Sequence, residues 1–197
     1  MKMEQISTTR MRHVGTFNRP QKQKGLTLVE LMVGLLIALA IIAIAIVAFN
    51  ATRSSQRTTG MQSQLLQVVA AVQKVAPGPN YNGVTEATVI QAGHAPTNMV
   101  NGTSLVNSFG GSVTIAAATY GGGTGAADNA FVTTFNGVPR SECNAVLASA
   151  NPTFTRIVVG TTAVKDQYGA SPLQYNTAAA TAACDNDANS ISFTYSS

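Results

Sequence analysis

The first long hydrophobic pattern in the chain is an uninterrupted run of 19 residues from Leu31 to Phe49, which contains only Leu, Met, Val, Gly, Ile, Ala and Phe. At a rise of about 1.5 Å per residue, a helix over this run spans roughly 28 Å, which is close to the hydrocarbon thickness of a bilayer. The run therefore predicts a transmembrane helix.

The same helix is predicted to continue into polar sequence, because Asn50 to Ala76 contains no proline and a single glycine, Gly60. Apolar residues recur there at steps of three and four, which places them on one helical face that needs a partner. They are Met61, Leu65, Val68, Val69, Val72 and Val75. Pro77 should end the helix, since proline disfavours helical conformation in the residue before it. We therefore expect one helix from Leu26 to Ala76, with an apolar first half and an amphipathic second half.

Beyond Pro79 the pattern changes to short segments separated by Gly, Ala, Ser, Thr and Asn. Segments rich in β-branched and aromatic residues predict four strands. These are Ser112–Ala117, Ala130–Phe135, Phe154–Val159 and Ser190–Tyr195. Short helices are predicted at Glu86–Gln91, at Ser141–Ala150 with Ser141 as N-cap, and at Thr177–Cys184. An antiparallel sheet packed on the apolar face of the long helix would give an α+β head.

Charge is concentrated at the N-terminus. Six of the twelve basic residues precede Leu26, where Glu4 is the only acid, so this segment carries a net charge of +5 and the rest of the chain −1. The case for nucleic-acid binding therefore depends on a segment that has the composition of a leader. Positive charge before the apolar run predicts a cytoplasmic N-terminus and a head outside the cytoplasm. A cleavable secretory signal has a shorter apolar region, whereas hydropathy alone does not exclude a plain signal anchor.

The entrance to the apolar run reads Lys24-Gly25-Leu26-Thr27-Leu28-Val29-Glu30. An ionised carboxylate among apolar residues costs roughly 2.5–3.5 kcal/mol in a membrane, so a simple anchor would rarely keep one. Here the chain resembles the type IV pilin family, whose prepilins carry a basic leader that ends in glycine, then an apolar helix with glutamate as its fifth residue. A tolerated glutamate at the bilayer edge is the alternative, but it does not explain this spacing.

The resemblance implies that prepilin peptidase cleaves after Gly25 and that the new amino group of Leu26 is methylated. It also implies that Glu30 pairs with the positive N-terminus of a neighbouring subunit and so sets the axial register in a filament. The chain departs from the common type IVa pattern, because no proline lies between Leu26 and Ala76. This departure puts melting of the helix on assembly in doubt.

The subclass that the chain resembles is that of type IVb major pilins, of the bundle-forming and conjugative thin-pilus type. The resemblance rests on the 25-residue leader, on Leu26 as first mature residue, and on two head segments, Asn107-Ser108-Phe109-Gly110-Gly111 and Val138 to Cys143.

Cys143 and Cys184 are the only cysteines, and the predicted topology places both where disulfides persist. A bond between them is the favoured interpretation over a reactive thiol or a metal ligand. The resemblance strengthens it, since type IV pilins commonly tie their C-terminal region to the sheet with one disulfide.

Candidate catalytic and ligand-binding residues are few. His94 is the one histidine after the leader and has the sequence context of a surface loop. Gly121-Gly122-Gly123-Thr124-Gly125 lacks the lysine of a P-loop. The segment that begins at Asp185 imitates the start of a calcium loop, but Ser190 and Ser196 occupy the positions of its glycine and its glutamate. The sequence therefore predicts no enzyme, no cofactor and no metal site.

These expectations divide the chain into a cleaved leader (1–25), a transmembrane and filament-core helix (26–52), the amphipathic half of that helix (53–77) and a head (78–197). The hypothesis is a major type IVb pilus subunit for adhesion, aggregation or conjugative mating contact, held in the inner membrane and then displayed on an extracellular pilus. Its expected partners are copies of itself, prepilin peptidase and the inner-membrane assembly machinery. A minor pilin, a secretion pseudopilin and a membrane-anchored extracellular adhesion domain are the alternatives.

Overall fold

The long N-terminal helix, α1, runs from Leu28 to Val75. The computed structural model describes residues 27–121 and 127–196, so the predicted leader, Leu26 and most of the glycine-rich segment at 121–125 lie outside the described residues. At the other end of α1, the Ala76 amide still donates to the Val72 carbonyl at 2.8 Å. The helix therefore ends just before Pro77, as the sequence predicts.

Three further helices and seven strands form in the described part of the chain. The helices are α2 (Glu86–Gln91), α3 (Arg140–Ala150) and α4 (Thr177–Ala183). The strands are β1 (Val100–Asn101), β2 (Ser104–Val106), β3 (Ser112–Ala118), β4 (Ala130–Val138), β5 (Arg156–Val159), β6 (Thr162–Asp166) and β7 (Asn189–Ser196).

All seven strands belong to one antiparallel sheet with the order β1-β2-β3-β4-β7-β5-β6. The last strand of the chain, β7, lies in the middle of the sheet between β4 and β5. Its register pairs Ile191 with Phe135 on one side, and Phe193 with Ile157 on the other. The C-terminal segment is therefore an integral part of the sheet.

The residues divide into two units, Met1–Ala45 and Ile46–Ser197. In the second unit the amphipathic part of α1 contributes one side of the core. Met61 and Val68 are fully buried there, in one cluster with the sheet residues Phe131, Phe135 and Phe193. The predicted apolar face of α1 is thus confirmed, and it packs with an antiparallel sheet.

The predicted strands and helices are present, with shifted ends in most cases. The structure adds β1, β2 and β6, which the sequence pattern did not predict. The prediction of Ser141 as the N-cap of α3 is wrong, because the helix begins at Arg140 and Pro139 takes the N-cap position without a side-chain hydrogen bond. The Ser141 hydroxyl donates instead to the carboxylate of Glu142.

A disulfide joins Cys143 in α3 to Cys184, the C-cap residue of α4, with 5.8 Å between the two Cα atoms. Both residues are buried. The Arg140 Nε also donates to the Cys184 carbonyl at 3.3 Å. Together these contacts hold the segment that leads into β7 against α3.

The loop before β3 fixes α1 to the sheet. The Asn107 side chain donates to the Asn136 carbonyl at 2.7 Å and accepts from the amides of Phe109 and Gly111 at 2.8 and 3.1 Å. The next amide, that of Ser108, donates to Gln64 of α1 at 2.9 Å. A side chain at Gly111 would collide with the Asn136 carbonyl, so this position requires glycine. These contacts account for Asn107 and Gly111 of the segment from Asn107 to Gly111 in physical terms.

Candidate assembly surface of the N-terminal helix

The first part of α1 exposes its apolar side chains. From Leu28 to Phe49 the large hydrophobic residues are between 50% and 74% exposed. The helix is long and apolar enough to cross a membrane. A surface of this kind is stable only when lipid or other protein covers it.

Glu30 lies in the first turn of this exposed helix and is itself exposed. The Glu30 amide donates to the Thr27 Oγ1 at 3.3 Å, and the Leu31 amide donates to the Thr27 carbonyl at 3.1 Å. Thr27 therefore acts as an N-cap for α1. Its hydroxyl caps the helix at the amide of Glu30, which is the third residue of α1.

The Glu30 carboxylate has no cationic partner among the described residues, where the only ion pair joins Arg156 to Asp166 at 3.1 Å. A carboxylate at the positive end of a helix gains some stabilisation from the helix dipole. That gain is too small to offset its cost among apolar groups, about 2.5–3.5 kcal/mol at mid-membrane. The arrangement is thus suited to a cation supplied from outside the described part of the subunit.

The described part of the head contains a network of ionisable groups that the sequence pattern did not predict. The Tyr120 hydroxyl donates to Asp166 at 2.5 Å, and the other oxygen of Asp166 accepts from the Arg156 Nε at 3.1 Å. Burial and the hydrogen bond to Asp166 raise the pKa of Tyr120 to about 12. The network ties the end of β3 to the β5–β6 hairpin. Its members are far apart in sequence, so no local motif could reveal it.

Other candidate chemistry stays isolated in the described residues. No cluster of three or more His, Cys, Asp or Glu side chains with metal-binding geometry occurs there. His94 follows α2 and is exposed. Asp185 and Asn186 line a polar cleft of about 390 Å³ beside the β5–β6 turn. Asn186 donates to Asp185 at 2.7 Å, an arrangement typical of a polar turn.

A family model described as PilS N terminal matches residues 55–196, which is more than half of the chain. The chain belongs to this family of type IV pilins. The match covers the amphipathic part of α1 and the whole head, the same residues that share the core described above.

The fold of this pilin is also found in a solved structure. TcpA, a type IV pilin from Vibrio cholerae El Tor biotype, superposes with a TM-score of 0.55 at 17% identity, over 72% of this chain and 99% of that one. A type IVb pilin from Salmonella typhi gives a TM-score of 0.48 at 22% identity, over 73% of this chain and 99% of that one. Comparison with curated protein sequences gave no match.

Of the predicted site residues of the pilin, Glu30, Cys143 and Cys184 are described by the structure, and they lie at two places. Gly25 and Leu26, the predicted cleavage and methylation positions, are outside the described residues. Glu30 is in the first turn of α1, in the apolar segment. Cys143 and Cys184 are in the head, where they form the disulfide.

Proposed function

We propose that this pilin is the major structural subunit of a type IVb pilus. The observation that carries the proposal is the exposed apolar part of α1, on which Glu30 is the single charge from Leu28 to Phe49. In a filament, like helices would cover this surface and gain roughly 25 cal/mol for each Å² removed from water. The pilin would use the same surface twice, first in the inner membrane and then in the filament core.

The processing steps follow the pattern around the helix start. Prepilin peptidase would cleave after Gly25, and the amino group of Leu26 would be methylated. The new N-terminus would bring a positive charge close to the start of α1. The positive terminus of one subunit and the Glu30 carboxylate of another would then compensate each other in an apolar filament core. Such a pair would fix the axial register between subunits.

The topology of the proposal places the N-terminus in the cytoplasm and the head outside it. The positive charges before the apolar run support this orientation. The Cys143–Cys184 disulfide agrees with it, because disulfides persist in compartments outside the cytoplasm. The inner-membrane assembly machinery would then extract the processed subunit into an extracellular filament for adhesion, aggregation or mating contact.

Intact mass and N-terminal sequencing test the proposal on protein from membranes and from sheared surface material. We expect a chain that begins at N-methylated Leu26 and predominates in the sheared filaments. A processed chain present only as a trace component of the filaments would indicate a minor pilin or a pseudopilin. A chain that keeps residues 1–25 and stays in the membrane would refute the proposal in favour of an anchored adhesion domain.

A further inference from the structure

One row of side chains on α1 is buried where the helix packs in the head and exposed nearer the N-terminus of the helix. Phe49, Arg53, Arg57, Met61 and Leu65 follow one another at steps of four, so each side chain neighbours the next along the helix. A step of four turns about 40° too far at 3.6 residues per turn, so the row winds around the helix and Phe49 lies on a different side from Leu65. Met61 and Leu65 are buried in the head core, whereas Phe49 is 56% exposed and both arginines are exposed. We name the exposed part, Phe49, Arg53 and Arg57, the basic row.

The basic row has no acidic partner within the described part of the subunit. Neither arginine forms an ion pair there, and the Arg53 guanidinium lies 4.2 Å from the centre of the Phe49 ring. No acidic residue occurs between Glu30 and Glu86, so α1 itself offers none beyond its first turn. The side of α1 that carries Arg53 and Arg57 is therefore exposed and positively charged.

Most acids of the head have partners inside the subunit. Glu86 accepts from the Ile115 amide at 3.3 Å and Asp128 from Asn82 at 2.9 Å. Glu142 accepts from Ser54 at 2.7 Å, and Asp166 pairs with Arg156. Asp185 accepts only from its neighbour Asn186, at 2.7 Å, and neither Asp185 nor Asp187 has a cationic partner among the described residues. Both are exposed in one loop after the disulfide. We name residues 185–187 the acidic loop.

A short series of bonds connects the acidic loop to the part of α1 that carries the basic row. Ser54, between the two arginines in sequence, is hydrogen-bonded to Glu142. The next residue, Cys143, is bonded to Cys184, and the acidic loop begins one residue later. A few residues of constrained chain thus connect the loop to Ser54, although the two charge groups do not pair in the described part of the subunit.

We propose that the basic row of one subunit docks the acidic loop of a second copy of this chain. The charges are complementary, and the row is continuous with the exposed apolar segment through which the proposed filament assembles. A contact between two different surfaces also suits a helical filament, in which subunits repeat head to tail without closing. This inference rests on the proposed function and names the head contact that accompanies packing of the helices.

Charge reversal in the full-length chain tests the contact. One variant combines Arg53→Glu with Arg57→Glu, and a second combines Asp185→Lys with Asp187→Lys. Each places like charges opposite each other, which opposes association. We expect sheared filaments to fall at least about tenfold in each variant. The subunit held in the membrane should stay at the wild-type level.

Combining all four substitutions restores opposite charges with the signs exchanged. We expect the filament yield to return to within about threefold of wild type, a smaller loss than the tenfold one expected of each double variant. Lys74→Glu is the matched control, since Lys74 lies in the last turn of α1, away from the basic row. It should leave the yield unchanged.

Normal yield from both double variants, or no recovery in the combined variant, would overturn the contact. Cross-linking between Arg57→Cys in one copy of the chain and Asp187→Cys in another gives a measurement that does not depend on charge. We expect disulfide-linked dimers in sheared filaments, and their absence from filaments that form normally would also overturn it. These outcomes differ from failure of the proposed function, in which wild-type chain itself is missing from the filaments.

Discussion

Glu30 is the residue whose chemistry depends most on assembly. Its carboxylate lies on an exposed apolar helix and lacks a cationic partner among the described residues. We predict that Glu30→Gln and Glu30→Ala leave leader removal intact and abolish sheared filaments, because neither side chain can pair with a positive N-terminus. Immunoblots of membrane and sheared fractions measure both steps. Filaments of normal yield from either variant would contradict the register role.

Tyr120 gives the head a dependence on alkaline pH. Its folded-state pKa of about 12 lies above the ordinary value of 10.0, because burial and the Asp166 hydrogen bond favour the neutral phenol. The stabilisation is fully present below pH 10 and is lost as the pH rises through about 12.

We predict that Tyr120→Phe flattens the fall in the free energy of unfolding between about pH 10 and pH 12, relative to wild type. Urea titrations of the detergent-solubilised chain at several pH values measure this slope. The variant also loses the bond to Asp166, so its stability at neutral pH should be lower. The difference between the two proteins cancels contributions from Tyr175 and Lys165, whose pKa values burial also shifts. Parallel pH profiles would refute the role of Tyr120.

At the scale of elements, hydrophobic periodicity predicted the helices and strands that are long enough to show a repeat. The 48 residues of α1 and the core strands β3, β4 and β7 follow steps of 3.6 or 2 over enough positions to be recognised. The strands β1 and β2 contain two and three residues, too few to show a period. The edge strand β6 owes its pairing to β5 and to the Leu173 segment, which are tertiary contacts. Similarly, Pro139 rather than Ser141 takes the N-cap position of α3, and its fixed φ suits the residue that precedes a helix.

Two adjacent leucines of α1 test the assignment of its buried face. Leu65 is 2% exposed and Leu66 is 57% exposed. We predict that Leu65→Ala lowers the free energy of unfolding by about 2–5 kcal/mol, because it leaves a cavity in the core. Leu66→Ala should change it by less than about 0.5 kcal/mol, as expected for an exposed position. Urea unfolding of both variants under one condition measures the two losses in free energy of unfolding. Equal losses would show that the buried face of α1 is wrongly assigned.

At the scale of the whole molecule, the two units contribute different features. The unit that ends at Ala45 contributes an exposed apolar helix, whereas the unit from Ile46 to Ser197 contains its own core and disulfide. The sequence could indicate this division, since the apolar run and the amphipathic pattern are local. It could not indicate the strand order, because the insertion of β7 between β4 and β5 depends on contacts between distant segments.

This division leads to a prediction for the isolated head. A chain that begins at Thr52 keeps the Ser54–Glu142 bond and every core residue from Met61 onward. It loses the large apolar side chains from Leu28 to Phe49, which are the main exposed hydrophobic surface. We expect a soluble monomer that unfolds cooperatively, measured by light scattering and circular dichroism. A chain that begins at Leu66 is the control, and it should fail to fold because Met61 and Leu65 are missing from the core. Aggregation of the longer chain, or cooperative folding of the shorter one, would show that the head does not depend on α1 in this way.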